Sequence, residues 1–262
     1  MCGIVGVISQ TERRGFILFK NLLQQSQIRG KHSTGISWTL SQGKVGTTID
    51  DIPAKEFVKR HLSSPLKSDL NLYLGHTRYS TSDLRYGQPI TIEGKESISH
   101  NGVISQADPE TWEKLYGYKN LKTLNDSELL LRFLRDGENN KESISEKFPD
   151  ASIAYGTISS NRLTCYRNGH RPLWIACVGY GDAYMFASTK DIIVRALRDT
   201  ADEDPLIFNA DISYWEAEIG VQYIFKHSST RILVKQERPA FLECDKSDLQ
   251  TISKISKHYI GE

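Results

Sequence analysis

Four short segments of the sequence carry residue types that could do chemistry. The first is Cys2, directly after Met1. An initiator methionine is normally trimmed when a small side chain follows, so the mature chain is expected to begin with cysteine. Thiol and α-amine would then sit on one residue. The α-amine has a reference pKa of about 7.7–8.0, against about 10.4 for lysine, so an appreciable fraction is neutral near pH 7. It can take the thiol proton through a water, making nucleophile and base a single residue. An incidental cysteine at a strand start is the other reading of the position.

The second segment, GHTRYST (Gly75 to Thr81), sets Arg78 just past an expected strand. A guanidinium there suits a free carboxylate, because two parallel hydrogen bonds fix position and orientation together. A surface salt bridge is the bland alternative. The third, HNG (His100 to Gly102), offers an asparagine amide and a glycine backbone N–H at a strand-to-turn junction. Two such donors fit an oxyanion hole, and glycine permits close approach to the reacting carbon. A plain Asn-Gly hairpin turn fits the dipeptide equally well. The fourth is Asp126, opening a strongly patterned helix. It could cap that helix and complement its dipole, or it could pair with a substrate ammonium group.

The elements that must position these residues are legible in the apolar spacing. MCGIVGVI is continuously apolar and β-branched, as a strand covered on both faces would be. Helical spacing runs from Arg14 to Ile28 and stops at Gly30. GISW and KVGTTI predict a hairpin, and PAKEFVKRHL a short helix with Pro53 in its first turn. NLYLGHTRYS and ESISHNGVIS each predict a strand entering a polar turn. DSELLLRFLRD predicts a helix, with Asn125 and Glu128 at capping-box spacing. SIAYGTIS, RLTCYR, LWIACV and AYMFAS follow as short strands, then a helix at 189–199 and an acidic loop, DTADEDP. Within the last forty or so residues, RILVKQ is the one strand-like piece. Hairpin-length links among the strands argue for antiparallel sheets covered by helices rather than a parallel βαβ fold.

The bulk numbers exclude several functions. At 262 residues, with 39% apolar and 25% charged residues, the chain suits one large α/β-mixed domain. A net charge of +1, evenly spread, offers no basic stripe for nucleic acid. No apolar run nears the roughly 20 residues that span a bilayer, and no signal peptide opens the chain, so the cytoplasm is the expected compartment. The cysteines (Cys2, Cys165, Cys177, Cys244) form no C-x-x-C, and the histidines no H-E-x-x-H. No metal or cofactor is expected.

Together, MCGIVGV, RGKHSTG (Arg29 to Gly35), GHTRYST, SHNGVIS and NDSE resemble the class II glutamine amidotransferases. That family contains the glutaminase domains of glucosamine-6-phosphate synthase, amidophosphoribosyltransferase, asparagine synthetase and glutamate synthase. AYGTI and RNGHRPL–FAST look like later strands of the same domain. The likeness covers roughly 2–225, which implies a domain over 1–225 and a C-terminal extension, 226–262, packed on it. The resemblance implies a four-layer αββα sandwich of the N-terminal-nucleophile (Ntn) hydrolase type. It also implies that Cys2 attacks the glutamine carboxamide to form a γ-glutamyl thioester, with Asn101 and the Gly102 amide as oxyanion hole. Arg78 would grip the α-carboxylate with Thr81 nearby, Asp126 would meet the α-ammonium, and Arg29 would support the nucleophile's end of the substrate site.

Tyr79 and Ser82 stand where the hexosamine synthases have tryptophan and histidine. That segment is closer to the amidophosphoribosyltransferases, whereas the Arg29 segment is closer to the hexosamine synthases. Nothing downstream resembles a sugar-phosphate isomerase, a phosphoribosyl diphosphate loop or an S-G-G-x-D-S loop. L-glutamine is therefore the expected substrate, with a separate synthase as ammonia acceptor and no nucleic acid or membrane as partner. Two other readings remain at this point: an N-terminal cysteine hydrolase acting on another amide, and a catalytically silent regulatory module.

Overall fold

The computed structural model describes residues 2–79, 87–149, 151–169, 171–207 and 210–243. One sheet contains β1 (Gly3–Ser9), β2 (Ser33–Thr39), β3 (Val45–Asp50), β4 (Leu72–Arg78), β9 (Trp174–Val178), β10 (Ala183–Ala187) and β11 (Ile212–Glu216). Its order is β11-β9-β10-β1-β4-β2-β3. The other contains β5 (Ile90–Ile92), β6 (Glu96–Val103), β7 (Ser152–Ser159), β8 (Arg162–Arg167), β12 (Gln222–His227) and β13 (Ile232–Glu237), in the order β13-β12-β8-β7-β6-β5. Every described strand pair is antiparallel, as the hairpin-length links require.

Three apolar layers hold four structural layers together. Strand β1 shows how, because alternate side chains leave a strand on opposite faces. Val5 and Val7 point to a cluster with Phe16, Phe19, Leu22 and Ile193, supplied by α1 (Glu12–Ser26) and α6 (Lys190–Glu203); α2 (Ala54–His61) adds Phe57 to it. Ile4 and Ile8 point the other way, into a seam between the sheets with Leu74, Ile158, Phe186 and Phe225. A third cluster packs the outer face of the second sheet beneath α3 (Trp112–Tyr116), α4 (Ser127–Asp136) and α5 (Ile144–Lys147). The result is the αββα sandwich. No helix among the described residues is long and apolar enough to cross a membrane.

The elements depart from expectation in specific places. Residues 200–203 of the acidic loop continue α6, because Thr200 turns its hydroxyl onto the Ala196 carbonyl and Asn21 of α1 binds that hydroxyl. Pro53 caps α2 rather than sitting inside its first turn. Among the described residues, the stretch beyond residue 220 holds two strands, not one. Strand β12 joins β8 to β13, so the division expected near residue 225 falls inside a strand. The run Tyr223, Ile224 and Phe225 that supplies β12 is itself rich in strand formers.

Phe186 is the seam's tightest fit. A Cβ on Gly6 would lie 2.3 Å from its ring, and one on Gly156 2.6 Å from it. Close-packed interiors penalise a void of that size. Phe186→Ala is expected to destabilise the fold by about 3–5 kcal/mol. Urea unfolding checks this; a loss under 1 kcal/mol would mean the seam collapses around the gap.

Candidate active site

Cys2 immediately precedes β1, a strand paired on both edges, with β4 and β10. Its carbonyl accepts the Arg29 Nε–H at 2.8 Å. Ile4 N–H donates to Ser188 Oγ at 2.9 Å, extending the hold one residue further in. Glycine is required between them: a Cβ on Gly3 would stand 2.6 Å from Thr77 Oγ1. Burial lowers the Arg29 pKa, the Cys2 thiol works against that, and Arg171 adds to it.

The RGKHSTG segment acts as a bed for its neighbours. Gly30 lies where any Cβ would come 2.3 Å from the Arg78 carbonyl carbon, and His32 N–H donates to the Arg78 oxygen at 3.0 Å. The His32 and Tyr79 rings are 5.0 Å apart. Arg78, the last residue of β4, is thereby set at the strand's end.

Asn101 and Gly102 lie within β6, opposite Ala154 and Ile153 of β7. No hairpin turn forms at this Asn-Gly pair. Asn101 is 3% exposed, and its Nδ2 has no hydrogen-bond partner among the described residues. A buried amide donor left unpaired costs free energy, so such a group marks a place awaiting an acceptor. Gly102 adopts φ +150°, and a Cβ there would stand 1.6 Å from the Ser152 carbonyl oxygen. No other residue fits.

Asp126 does not cap α4. Its backbone is already helical and its carboxylate makes no capping bond; Oδ2 instead accepts the Ile104 N–H at 2.7 Å, tying the helix start to the end of β6. Capping falls to Asn125, whose Oδ1 takes the Ser127 N–H at 3.0 Å. The reciprocal half of the expected capping box is not formed. Glu128 turns back to the Lys122 and Thr123 N–H groups at 2.9 and 2.6 Å, and to Arg132 at 2.7 Å. The preceding loop needs those acceptors more than the helix end does.

Cys2, Arg78, Gly102 and Asp126 meet on the walls of one cavity of about 580 Å³, and Asn101 is not among the residues that line it. Arg29 is not on its wall and reaches the site through the Cys2 carbonyl. Thr81 and Ser82 lie outside the described residues. Gln88, Ser105, Trp112 and Leu124 also line the cavity, and the sequence had not singled them out. Only the Pro89 beside Gln88 could have hinted at a fixed turn. Two histidines lie buried here. Burial pushes His76 down to about 3, with Arg78 and His100 adding to the effect. Burial lowers His100 too, against the pull of Asp126. Both rings are therefore neutral near pH 7, and neither carries a charge into the site. No cluster of three or more His, Cys, Asp or Glu that could hold a metal occurs among the described residues.

Solved structures share this arrangement of layers. The chain superposes on glutamine phosphoribosylpyrophosphate amidotransferase from B. subtilis with a TM-score of 0.59 and 18% identity, over 90% of this chain and 49% of that one. A structure described as the allosteric regulatory enzyme of purine biosynthesis matches with a TM-score of 0.60, 18% identity and the same coverage. This chain shares the αββα sandwich fold of these two proteins. It spans about half the length of those two proteins. A glutamine aminotransferase class-II domain protein from Silicibacter pomeroyi matches over 89% of this chain and 98% of its own, with a TM-score of 0.51 and 12% identity. No protein-family model and no curated protein sequence matches the chain.

Glu128 makes the Asp126 loop sensitive to acid. Burial pushes its carboxyl up, but the Lys122 N–H, Arg132 and Thr123 donors outweigh this and hold it below the ordinary carboxylate value. A lowered folded-state pKa stabilises above the unfolded value and loses that contribution as pH falls through the folded one. Glu128→Gln is expected to cost about 1.5–3 kcal/mol at pH 7. The difference from the parent protein should shrink as pH falls below about 4. Denaturant titrations of both proteins at several pH values check this; a difference independent of pH would contradict it.

Proposed function

We propose that this protein hydrolyses L-glutamine to glutamate and ammonia, with Cys2 as nucleophile once Met1 is removed. The observation that carries the proposal is the shared cavity: a thiol, a guanidinium, a carboxylate and the Gly102 amide on one wall system. The buried, unpaired Asn101 amide belongs to the same strand as Gly102. Arg78 and Asp126 together suit the α-carboxylate and α-ammonium of a free amino acid, with Thr81 as a further substrate contact. That pairing argues against amides that lack a free amino-acid end.

The sequence of bonds follows from those roles. The α-amine of Cys2 takes the thiol proton, and the sulfur attacks the carboxamide carbon. The carbonyl oxygen gains the negative charge and is met by the Asn101 side chain and the Gly102 N–H. Collapse expels ammonia, to which the amine returns the proton, and leaves a γ-glutamyl thioester. Water then adds to the thioester, releasing glutamate and restoring the thiol. Arg29 holds the Cys2 backbone so that sulfur and amine keep their places. The same proposal extends to the ammonia: it passes to an acceptor site outside the described residues, on a synthase partner.

Three measurements test this. The purified protein with Met1 removed, confirmed by mass spectrometry, should release ammonia from glutamine and not from amides lacking the free amino acid; inactivity on glutamine overturns the proposal. Cys2→Ala should abolish hydrolysis yet still bind glutamine by calorimetry, because Arg78 and Asp126 remain; loss of both would contradict the division of roles. Asn101→Ala should lower kcat by about 10²–10³-fold with little change in KM, the usual cost of one oxyanion donor. A mainly KM effect would place Asn101 in substrate binding instead.

A further inference from the structure

Strand β5 is three residues long and pairs with β6 at Ile90–Ile98, Thr91–Ser97 and Ile92–Glu96. Along an antiparallel edge the inward-facing N–H groups recur at alternate residues, so the next one on β6 belongs to His100. Its ladder partner would be the backbone carbonyl of residue 88. That carbonyl is turned toward β2, where a Cβ on Gly35 would lie 2.0 Å from it. The Gln88 side chain takes over instead, and its Oε1 accepts the His100 N–H at 2.7 Å.

The other side of His100 is held as well, since its Nδ1 lies 3.2 Å from Ser127 Oγ, one residue past Asp126. The residue before the Asn101–Gly102 pair is thus pinned by one bond from Gln88 and one from the start of α4. Gln88 is 7% exposed and lines the cavity with Cys2 and Gly102.

We infer that Gln88 is a positioning residue that stands in for a missing edge strand and fixes the aim of the Asn101–Gly102 oxyanion donors. The inference rests on the glutamine-hydrolysis reading. Donors aimed at the developing oxyanion act on the transition state more than on bound glutamine. A loss of aim should therefore show in kcat rather than KM.

Gln88→Met keeps the volume and removes the acceptor. It is expected to lower kcat about 10–100-fold, less than the roughly 10²–10³-fold that removing an oxyanion donor costs, and to leave KM within about threefold. L-glutamate γ-semialdehyde supplies a readout that a merely structural role would not move. The Cys2 sulfur adds to its aldehyde carbon and the thiol proton ends on the former carbonyl oxygen, giving a thiohemiacetal seated in the oxyanion hole. Its affinity should fall in proportion to kcat, while affinity for L-glutamate stays unchanged. Gln88→Glu retains an acceptor for His100 and should recover kcat to within about fivefold of the parent protein.

An unchanged kcat in Gln88→Met, or equal losses for semialdehyde and glutamate, would overturn the inference. If Gln88→Met does not fold, Gln88→Glu decides: a folded protein with near-parental kcat supports the role, and a folded protein lacking activity overturns it. A parent protein that fails to hydrolyse glutamine would sink the underlying reading, whereas an active parent with an indifferent Gln88→Met sinks only the role of Gln88.

Discussion

Strand β1 is hydrogen-bonded along both edges and covered on both faces, and Cys2 stands at its first turn out of the sheet. A strand in that position has no freedom to shift register: one step would exchange Val5 and Val7 with Ile4 and Ile8 and place every side chain against the wrong layer. Cys2 inherits this rigidity. Its carbonyl is held by Arg29, and the residue after it must be glycine for β4 to pass so close. The neighbours of the site are set by the same requirement, because Gly30 and Gly35 admit the Arg78 and Gln88 backbones at distances a side chain would forbid.

The residues to which the proposal gives chemical roles come from both sheets. Cys2 immediately precedes β1 and Arg78 ends β4, both of the first sheet, whereas Asn101 and Gly102 belong to β6 of the second. Asp126 comes from the helical layer outside the second sheet and is anchored to β6 through the Ile104 N–H. Burial pushes His76 and His100 toward the neutral form. Asn101 Nδ2 is buried and unpaired among the described residues, so little solvent screens it. The cavity's charged groups, Arg78 and Asp126, suit the two ends of an amino acid rather than the reacting carbonyl.

Much of the fold was legible in the chain alone. The both-faces-buried strand at the terminus, the helix that follows, the 33–50 hairpin and α4 all carry periodicities that survive without context. The last turn of α6 does not, and the strand-forming run Tyr223–Phe225 of β12 does not say which strand it joins. Their placement depends on β8 and on Asn21, contacts remote in sequence and silent in local spacing. The capping box at Asn125 and Glu128 was a sound local expectation that lost to a loop whose N–H groups required the same carboxylate.

Cys2, Arg78, Asn101, Gly102 and Asp126 could be named from the sequence, because a thiol beside an α-amine, a guanidinium, an amide-glycine pair and a carboxylate each have a distinct chemistry. Residue type alone left every one of them with a bland alternative. The tertiary structure bears on two of those alternatives: Asn101–Gly102 makes no hairpin turn, and the Asp126 carboxylate, still at the start of α4, makes no capping hydrogen bond. It also brought forward Gln88, which no spacing marks, since its part depends on where the β5 edge ends and which way its own carbonyl is turned. The sequence determined which groups are present, because side-chain chemistry is local. Only the packing of two sheets decided which of them face one another, because that depends on contacts between residues far apart in the chain.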